Sequence, residues 1–359
     1  MKKKAGLALL VVPALAACSA IGTGGDPEPG PTSDGAMGGA VTLVTHDSFA
    51  LADGLLDEFT ARTGYEVTVV QPGDAGTLVN QLVLTKDSPI GDVVFGIDNT
   101  LASRALDQGV LAAPAPALTA PALADAERYR VAGDDEGALT AIDLGDVCLN
   151  VDHAWFTEHQ LAEPATLDDL VKPEYRDLLV VPSAATSSPG FAFLLATVGA
   201  KGDGWADYWR ALAGNGLQVT EGWSDAYYVD FSGAAEGGTR PIVLSYASSP
   251  PVTIPEGGTE PTTGALLDTC FRQVEYAGVL AGAKNPAGAS ALIDFLLSDE
   301  VQADIPTSMY MYPVSSGVSV PPDWAEWAPL ADEPFEVPAA QIDANREEWL
   351  TTWSDVVLG

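Results

Sequence analysis

Positive charge is what this 359-residue chain lacks: 16 Lys and Arg stand against 50 Asp and Glu, a formal net charge of −34 at pH 7. Neutralising a phosphate backbone takes clustered Lys and Arg, so nucleic acid is excluded as a partner. The acids are dispersed, with Asp134-Asp135-Glu136 and Asp168-Asp169 the densest groups, as on a solvated surface, and such a field draws cations. Histidine is scarcer still: only His46, His153 and His159 occur. His153 and His159 fall in a segment that reads as helix, without the i, i+4 spacing of an HExxH zinc motif. A Gly-x-Ser-x-Gly turn, a P-loop and a GxGxxG opening a helix are all missing, which removes the common signatures of catalysis and nucleotide binding. Of the three cysteines, Cys18, Cys148 and Cys270, none has a neighbouring Cys or His at metal spacing.

Long apolar runs are as restricted as positive charge, and the N-terminus holds the clearest one. Lys2 to Lys4 followed by apolar residues 5–17 have the charged start and short apolar stretch of an export signal, too short for a spanning helix. Leu15-Ala16-Ala17-Cys18 resembles the lipobox of bacterial lipoproteins, which implies Cys18 as a lipidated anchor; a plain Ala-x-Ala cleavage is the alternative. Residues 18–40, rich in Gly, Pro, Ser and Asp, read as a flexible tether. Residues 1–17 are then signal, and the protein is expected outside the cytoplasm, held to the membrane. Without the signal, 13 basic residues face 50 acidic ones. Outside the cytoplasm Cys148 and Cys270 are expected to pair, two separate buried thiols being the alternative.

The length suggests two lobes. Residues 41–45 (VTLVT) read as a strand, and His46-Asp47-Ser48 precedes a helix over 49–63, capped by Asp47 or Ser48. A strand over 66–70, a helix over 77–84 and a buried strand over 92–97 follow, leading into Asp98-Asn99 and another helix. This alternation predicts an α/β fold with parallel strands, whose ligands sit beyond the strand ends, where His46, Asp47 and Asp98 fall. Residues 112–124 read as an irregular connection. A strand over 145–151 crosses to a second lobe, in which 166–170 starts a helix capped by Thr166 and 179–181 is a strand. Residues 184–190 open a helix from Phe191, so that Ser187, Ser188 and Gly190 form a cradle for an anion or hydroxyl. A strand over 270–279 returns to the first lobe, followed by a helix over 286–298, a short turn at 301–304 and a helix over 338–357. Lobe 1 is expected over 41–144 and 271–359, including the C-terminal helix, and lobe 2 over 145–270.

Residues 220–250 organise the rest. Trp223, Tyr227, Tyr228 and Tyr246 stand there among Ser232, Ser245, Ser248 and Ser249. Any one of these rings fits a core as well as a site. The loop-forming Gly222, Gly233, Gly237, Gly238 and Pro241, however, place Trp223 and Tyr246 at loop ends. Ring faces from Trp223, Tyr246 and Tyr310 suit an organic cation, each contact worth roughly 0.5 to 2 kcal/mol. Asp47 and Asp98 can balance its charge or accept from an amino group, and Ser245 with the 186–190 cradle can take a hydroxyl or phosphate. Two other readings remain: ferric iron or another small cation held by His46, Asp47, Asp98 and tyrosines, and a secreted hydrolase with an unrecognised site.

Seven stretches together resemble one family, the thiamine-binding solute receptors of bacterial ABC importers: THDSFA (45–50), GDVVFGIDNTL (91–101), TSSPG (186–190), TEGWSDAY (220–227), VLSYASSP (243–250), RQVEYA (272–277) and IPTSMYMYPV (305–314). The GWS-x-AY and LSY-x-SP pieces are the most specific. The resemblance implies a two-lobed periplasmic-binding-protein fold of type II with the ligand between lobes, no catalysis and no cofactor. It also implies thiamine or its phosphates as ligand, a monomer, and an ABC permease with its ATPase as partners. It places Asp98 by the pyrimidine, Ser187, Ser188 and Gly190 by the hydroxyl or phosphate end, and Trp223, Tyr227 and Tyr246 as wall and hydrogen-bonding residues. His46 stands where the family often has Tyr, and Tyr310 where it often has Trp; both keep a flat, polar-tipped ring. Tyr228 is expected to turn away from the ligand if Tyr227 faces it. The related iron-binding proteins use adjacent tyrosines where this chain has Ser245-Tyr246.

Overall fold

The structure, a computed structural model, describes residues 38–112 and 118–359. The expected signal, Cys18 and nearly all of the tether lie outside the described residues. Alternating β-branched and apolar segments form nine strands among the described residues, joined in one sheet. They are β1 (Gly39–Thr45), β2 (Tyr65–Val70), β3 (Val93–Asp98), β4 (Thr140–Asp152), β5 (Leu179–Pro182), β6 (Gln218–Thr220), β7 (Ile242–Tyr246), β8 (Thr263–Val279) and β9 (Tyr312–Pro313). The order is β2-β1-β3-β8-β4-β7-β5-β6, with β9 on β4. At one end β1 pairs in parallel with β2 and β3, and at the other β5 pairs in parallel with β6 and β7. Between them β8 and β4 run antiparallel to each other, and to β3 and β7 respectively.

Two hydrophobic cores form around these ends. Leu43, Phe95, Ile97 and Leu292 belong to the first, and Leu149, Phe193, Trp209 and Leu244 to the second. β4 and β8 place buried residues in both: Ile142 and Tyr276 pack in the first core, Leu149 and Phe271 in the second. Cys148 and Cys270 form a disulfide between these two strands, with Cα atoms 4.2 Å apart.

Four local expectations need correction. The helix expected over 49–63 starts only at Leu55, after Gly54 at φ 91. The preceding residues stay in a loop because Gln71 Nε2 donates to the carbonyls of His46 and Phe49, at 3.1 and 3.2 Å, so Asp47 and Ser48 cap nothing there. Thr166 is not a cap either: Asp169 accepts from the amides of Ala165 and Thr166 at 2.9 and 2.8 Å and anchors only a short 3-10 turn. The turn expected at 301–304 is a full helix, Asp299–Ser308, capped by Ser298. Finally, the C-terminal helix Ala339–Val357 buries its apolar residues in the second core, with a smaller contact to the helix Ala102–Asp107 of the first half. Its Trp353 meets Trp209 edge to face at 5.7 Å, and Ile342 and Trp349 bury on the same side. Among the described residues no helix is long and apolar enough to cross a membrane.

Candidate functional site

A cavity lies at the C-terminal ends of β1 and β7, enclosing with its open mouth ≈ 610 Å³ of space between atoms. Its aromatic wall comes from the 220–250 stretch. Trp223 and Tyr227 stack at 5.1 Å with an interplanar angle of 18°, while Tyr228 and Tyr246 meet Trp223 edge-on at 5.4 and 6.2 Å. Polar groups fix these rings. Trp223 Nε1 donates to Ser245 Oγ at 3.0 Å, and Ser245 Oγ is 2.7 Å from Ser249 Oγ. Tyr246 Oη donates to Gln273 Oε1, and Gln273 Nε2 donates to Ser188 Oγ, both at 3.0 Å. Burial pushes the Tyr246 hydroxyl well above its ordinary pKa, so it remains a neutral donor.

Asp74, at the start of the helix Ala75–Leu84, also lines the cavity. Its carboxylate accepts from three backbone amides: Ala75 at 2.6 Å, Ser188 at 3.2 Å and Trp223 at 3.0 Å. Two of these donors belong to segments of the second half of the fold, so Asp74 ties the halves together at the cavity. The sequence is cut to allow it. A Cβ on Gly222 would lie 3.3 Å from Asp74 Oδ2, and one on Gly76 would lie 2.6 Å from the Thr186 carbonyl. Burial raises the Asp74 pKa against the opposing pull of these hydrogen bonds.

Acidic groups continue beneath the cavity. In the sheet register Glu275 of β8 lies between Asp98 of β3 and Asp143 of β4. Glu275 lines the cavity, and its Oε1 is 3.6 Å from His46 Nε2. Burial alone would lower the His46 pKa; the neighbouring Glu275 carboxylate more than offsets it, and the net shift is upward. Tyr310 and its neighbours Met309 and Met311 also line the cavity. Tyr310 has φ 57, a left-handed conformation uncommon outside glycine, and its carbonyl accepts from Ser248 Oγ.

The structure thus gathers His46, Ser188, Trp223, Tyr227, Tyr246 and Tyr310 of the sequence-derived set around one cavity. The others stand off it. Asp98, expected by the pyrimidine, is fully buried, with Oδ1 accepting from Thr100 N, Thr100 Oγ1 and Leu101 N; burial pushes its pKa to about 7. Asp47 is exposed and outside the cavity lining. Ser187 caps the helix Ser188–Lys201 by accepting from Gly190 N, and Gly190 is small because a Cβ would lie 2.5 Å from the Pro182 carbonyl. Ser245 stands behind Trp223, and the expected anion cradle already holds Asp74. Residues the sequence reading missed are Asp74, Glu275, Ser48, Ser249, Val252, Met309 and Met311. Tyr228, expected to turn away, lines the cavity beside Tyr227 while remaining half exposed. A signal for two of them was present: Asp74 follows a strand at a helix start, and Glu275 is an acid within the buried second half of β8. Among the described residues no group of three or more His, Cys, Asp or Glu is placed to hold a metal ion.

Known proteins carry the same design. The thiamine-binding periplasmic protein of Escherichia coli is 29% identical over 324 residues, covering 88% of this chain and 93% of that protein. A solved periplasmic thiamin binding protein superposes with a TM-score of 0.76 at 28% identity, covering 89% of this chain and 97% of that one. Iron-bound HitA from Pseudomonas aeruginosa, at 23% identity and a TM-score of 0.69 over 88% of this chain and 99% of that one, shares the fold. The architecture is the type II periplasmic-binding-protein fold expected from the sequence. Residues 88–336 match the profile of bacterial extracellular solute-binding proteins, and this chain belongs to that family.

Proposed function

We propose that this protein is an extracytoplasmic receptor that captures thiamine and delivers it to an ABC permease with its ATPase, held to the membrane through a lipidated Cys18. The observation that carries the reading is one cavity lined both by stacked aromatic rings, Trp223 and Tyr227, and by two buried carboxylates, Asp74 and Glu275. Thiamine offers matching chemistry: a thiazolium with a fixed positive charge, an aminopyrimidine that stacks and hydrogen-bonds, and a hydroxyethyl arm. Cation-π contact with Trp223 and Tyr246 stabilises the charged ring, and Glu275 balances it across the cavity. The similarity to thiamine-binding relatives over most of the chain supports the same ligand.

Unphosphorylated thiamine is the preferred form in this reading. A phosphate at the helix start would compete with the Asp74 carboxylate for the Ser188 amide and be repelled by it. The halves around the two cores close on the ligand by bending β4 and β8, which place buried residues in both cores. Calorimetric titration with thiamine, thiamine monophosphate and ferric citrate tests the function. A saturable 1:1 heat with thiamine, weaker binding of the monophosphate and none of the iron complex are expected; no heat with either thiamine form at micromolar ligand would refute it. For the anchor, Cys18→Ser should shift the protein from the membrane fraction to the medium or periplasm.

A further inference from the structure

Beneath the cavity the three carboxyls of Asp98, Glu275 and Asp143 occupy matched register positions on adjacent strands. Asp98 and Asp143 are 0% exposed, and of the three only Glu275 lines the cavity. Among the described residues no N–H or O–H donor reaches either oxygen of Asp143, whose register partner on β8 is the carboxyl of Glu275, and His46 Nε2 has no hydrogen-bond partner. An isolated charge in such a place is strongly disfavoured, so Asp143 is held as the neutral acid; burial first, and then Glu275 beside it, raise its pKa well above the carboxylate range. A carboxyl beside a carboxylate behaves as a pair that shares one proton.

The surroundings of the pair are defined on every side. His46 at the end of β1 is the basic group nearest Glu275 among the described ion pairs, at 3.6 Å. Asp98 adds negative charge from β3, with Arg346 of the C-terminal helix in its field. Asp74 and the neutral Tyr246 hydroxyl complete the cavity side, and Asp47 acts on His46. The empty pocket therefore carries more acid than its one histidine balances.

We propose that the Asp143–Glu275 pair exchanges its proton for the ligand: a thiazolium settling against Glu275 takes the place of the shared proton, which leaves to solvent, so capture is coupled to proton release. The only bond broken is the carboxyl O–H of Asp143. Its electrons stay on the carboxylate, and the proton passes to water or buffer. Asp143 never touches the ligand; it is a positioning residue that acts through Glu275. This inference rests on the thiamine reading. Because the loaded site binds one proton fewer than the empty one, affinity rises with pH. The slope approaches about tenfold in Kd per pH unit where the exchange is complete.

The test is calorimetry of the full chain with thiamine between pH 6 and 8, in phosphate and in Tris, whose ionisation heats differ. Wild type should show a buffer-dependent heat equivalent to a proton release approaching one per thiamine, with a Kd that tightens as pH rises. Asp143→Asn, which can still donate to Glu275 but has no proton to give up, should bind more weakly, with buffer-independent heat and a Kd flat in pH. His46→Gln should keep the release. Thiamine binding in wild type with equal heats in both buffers would overturn this inference and leave the receptor reading intact. Release that survives Asp143→Asn but disappears in His46→Gln would also overturn it, and absence of thiamine binding at every pH would overturn both. If Asp143→Asn fails to fold, the wild-type buffer comparison read together with His46→Gln decides: release lost in His46→Gln overturns the inference, and release kept supports it.

Discussion

On one side of the cavity Trp223, Tyr227, Tyr228 and Tyr246 pack ring against ring, with Trp223 no more than 6.2 Å from each of the others. Beneath it, Asp98, Glu275 and Asp143 stand in register on β3, β8 and β4, with His46 beside Glu275; Glu275, His46 and Asp74 line the cavity. The aromatic side is local in sequence: its rings fall within a 24-residue span and are held by neighbours such as Ser245 and Ser249. The acidic side is assembled from five separate segments and exists only once the sheet has formed. Shape and stacking thus come from a short stretch, while charge balance comes from the topology of the central strands.

That contrast can be broken experimentally. The largest effect concerns the joint between the two sides. Replacing Cys148 and Cys270 together by Ala removes a crosslink spanning 122 residues. Stability should fall by about 4 kcal/mol, read by denaturant unfolding. Thiamine affinity of the folded protein should stay within about threefold, because neither cysteine lines the cavity.

Next comes the acidic side. Glu275→Gln removes the carboxylate nearest His46 and should weaken thiamine binding by about 2 to 3 kcal/mol, roughly thirty- to a hundredfold. An unchanged Kd would mean that the charge is balanced elsewhere. On the aromatic side, Trp223→Ala should weaken binding by at least about tenfold, a loss of about 1.4 kcal/mol, while the melting temperature of the empty protein changes little. A large drop in melting temperature with unchanged affinity would make Trp223 part of the second half's core, since it also packs against the small cluster of Tyr227 and Phe231.

The smallest effect is on pH dependence. Asp98 keeps its proton to about pH 7 in the fold but loses it near pH 4 when unfolded. The native state therefore binds more protons across that window, and stability falls as pH rises through it. His46, also raised, acts in the same direction: its contribution is complete below its unfolded value and lost as pH rises through its folded one. Asp98→Asn should flatten the melting-temperature profile between about pH 4 and 7 by a few degrees. A profile as steep as wild type would show that Asp98 is ionised in the fold.

The same contrast explains what could be read from the sequence. The α/β class, the parallel strands with their helices and the aromatic wall all depend on short-range patterns, and VTLVT, DVVFGI and the GWS-x-AY stretch carry them. A strand-end acid reads the same in sequence whether it faces a ligand or, as Asp98 does, accepts from the amides of Thr100 and Leu101. Asp74 and Glu275 were missed because their roles depend on contacts between distant segments, such as Asp74 with Ser188 and Trp223. The C-terminal helix was grouped with the wrong core for the same reason: Trp353 finds Trp209 across 144 positions of chain. The helix over 49–63 was drawn too long because Gln71, which holds the loop open, lies beyond it.

The central claim is that the two sides meet on a positive charge. Its most direct test compares, by calorimetry on the wild-type protein, thiamine with an isosteric analogue whose thiazolium is replaced by a neutral thiophene. Stacking is nearly unchanged between the two, so the charge is the variable. The structure predicts that thiamine binds at least about thirtyfold more tightly, the scale of one charge-assisted contact in a buried site. Equal affinity for the two ligands would contradict it.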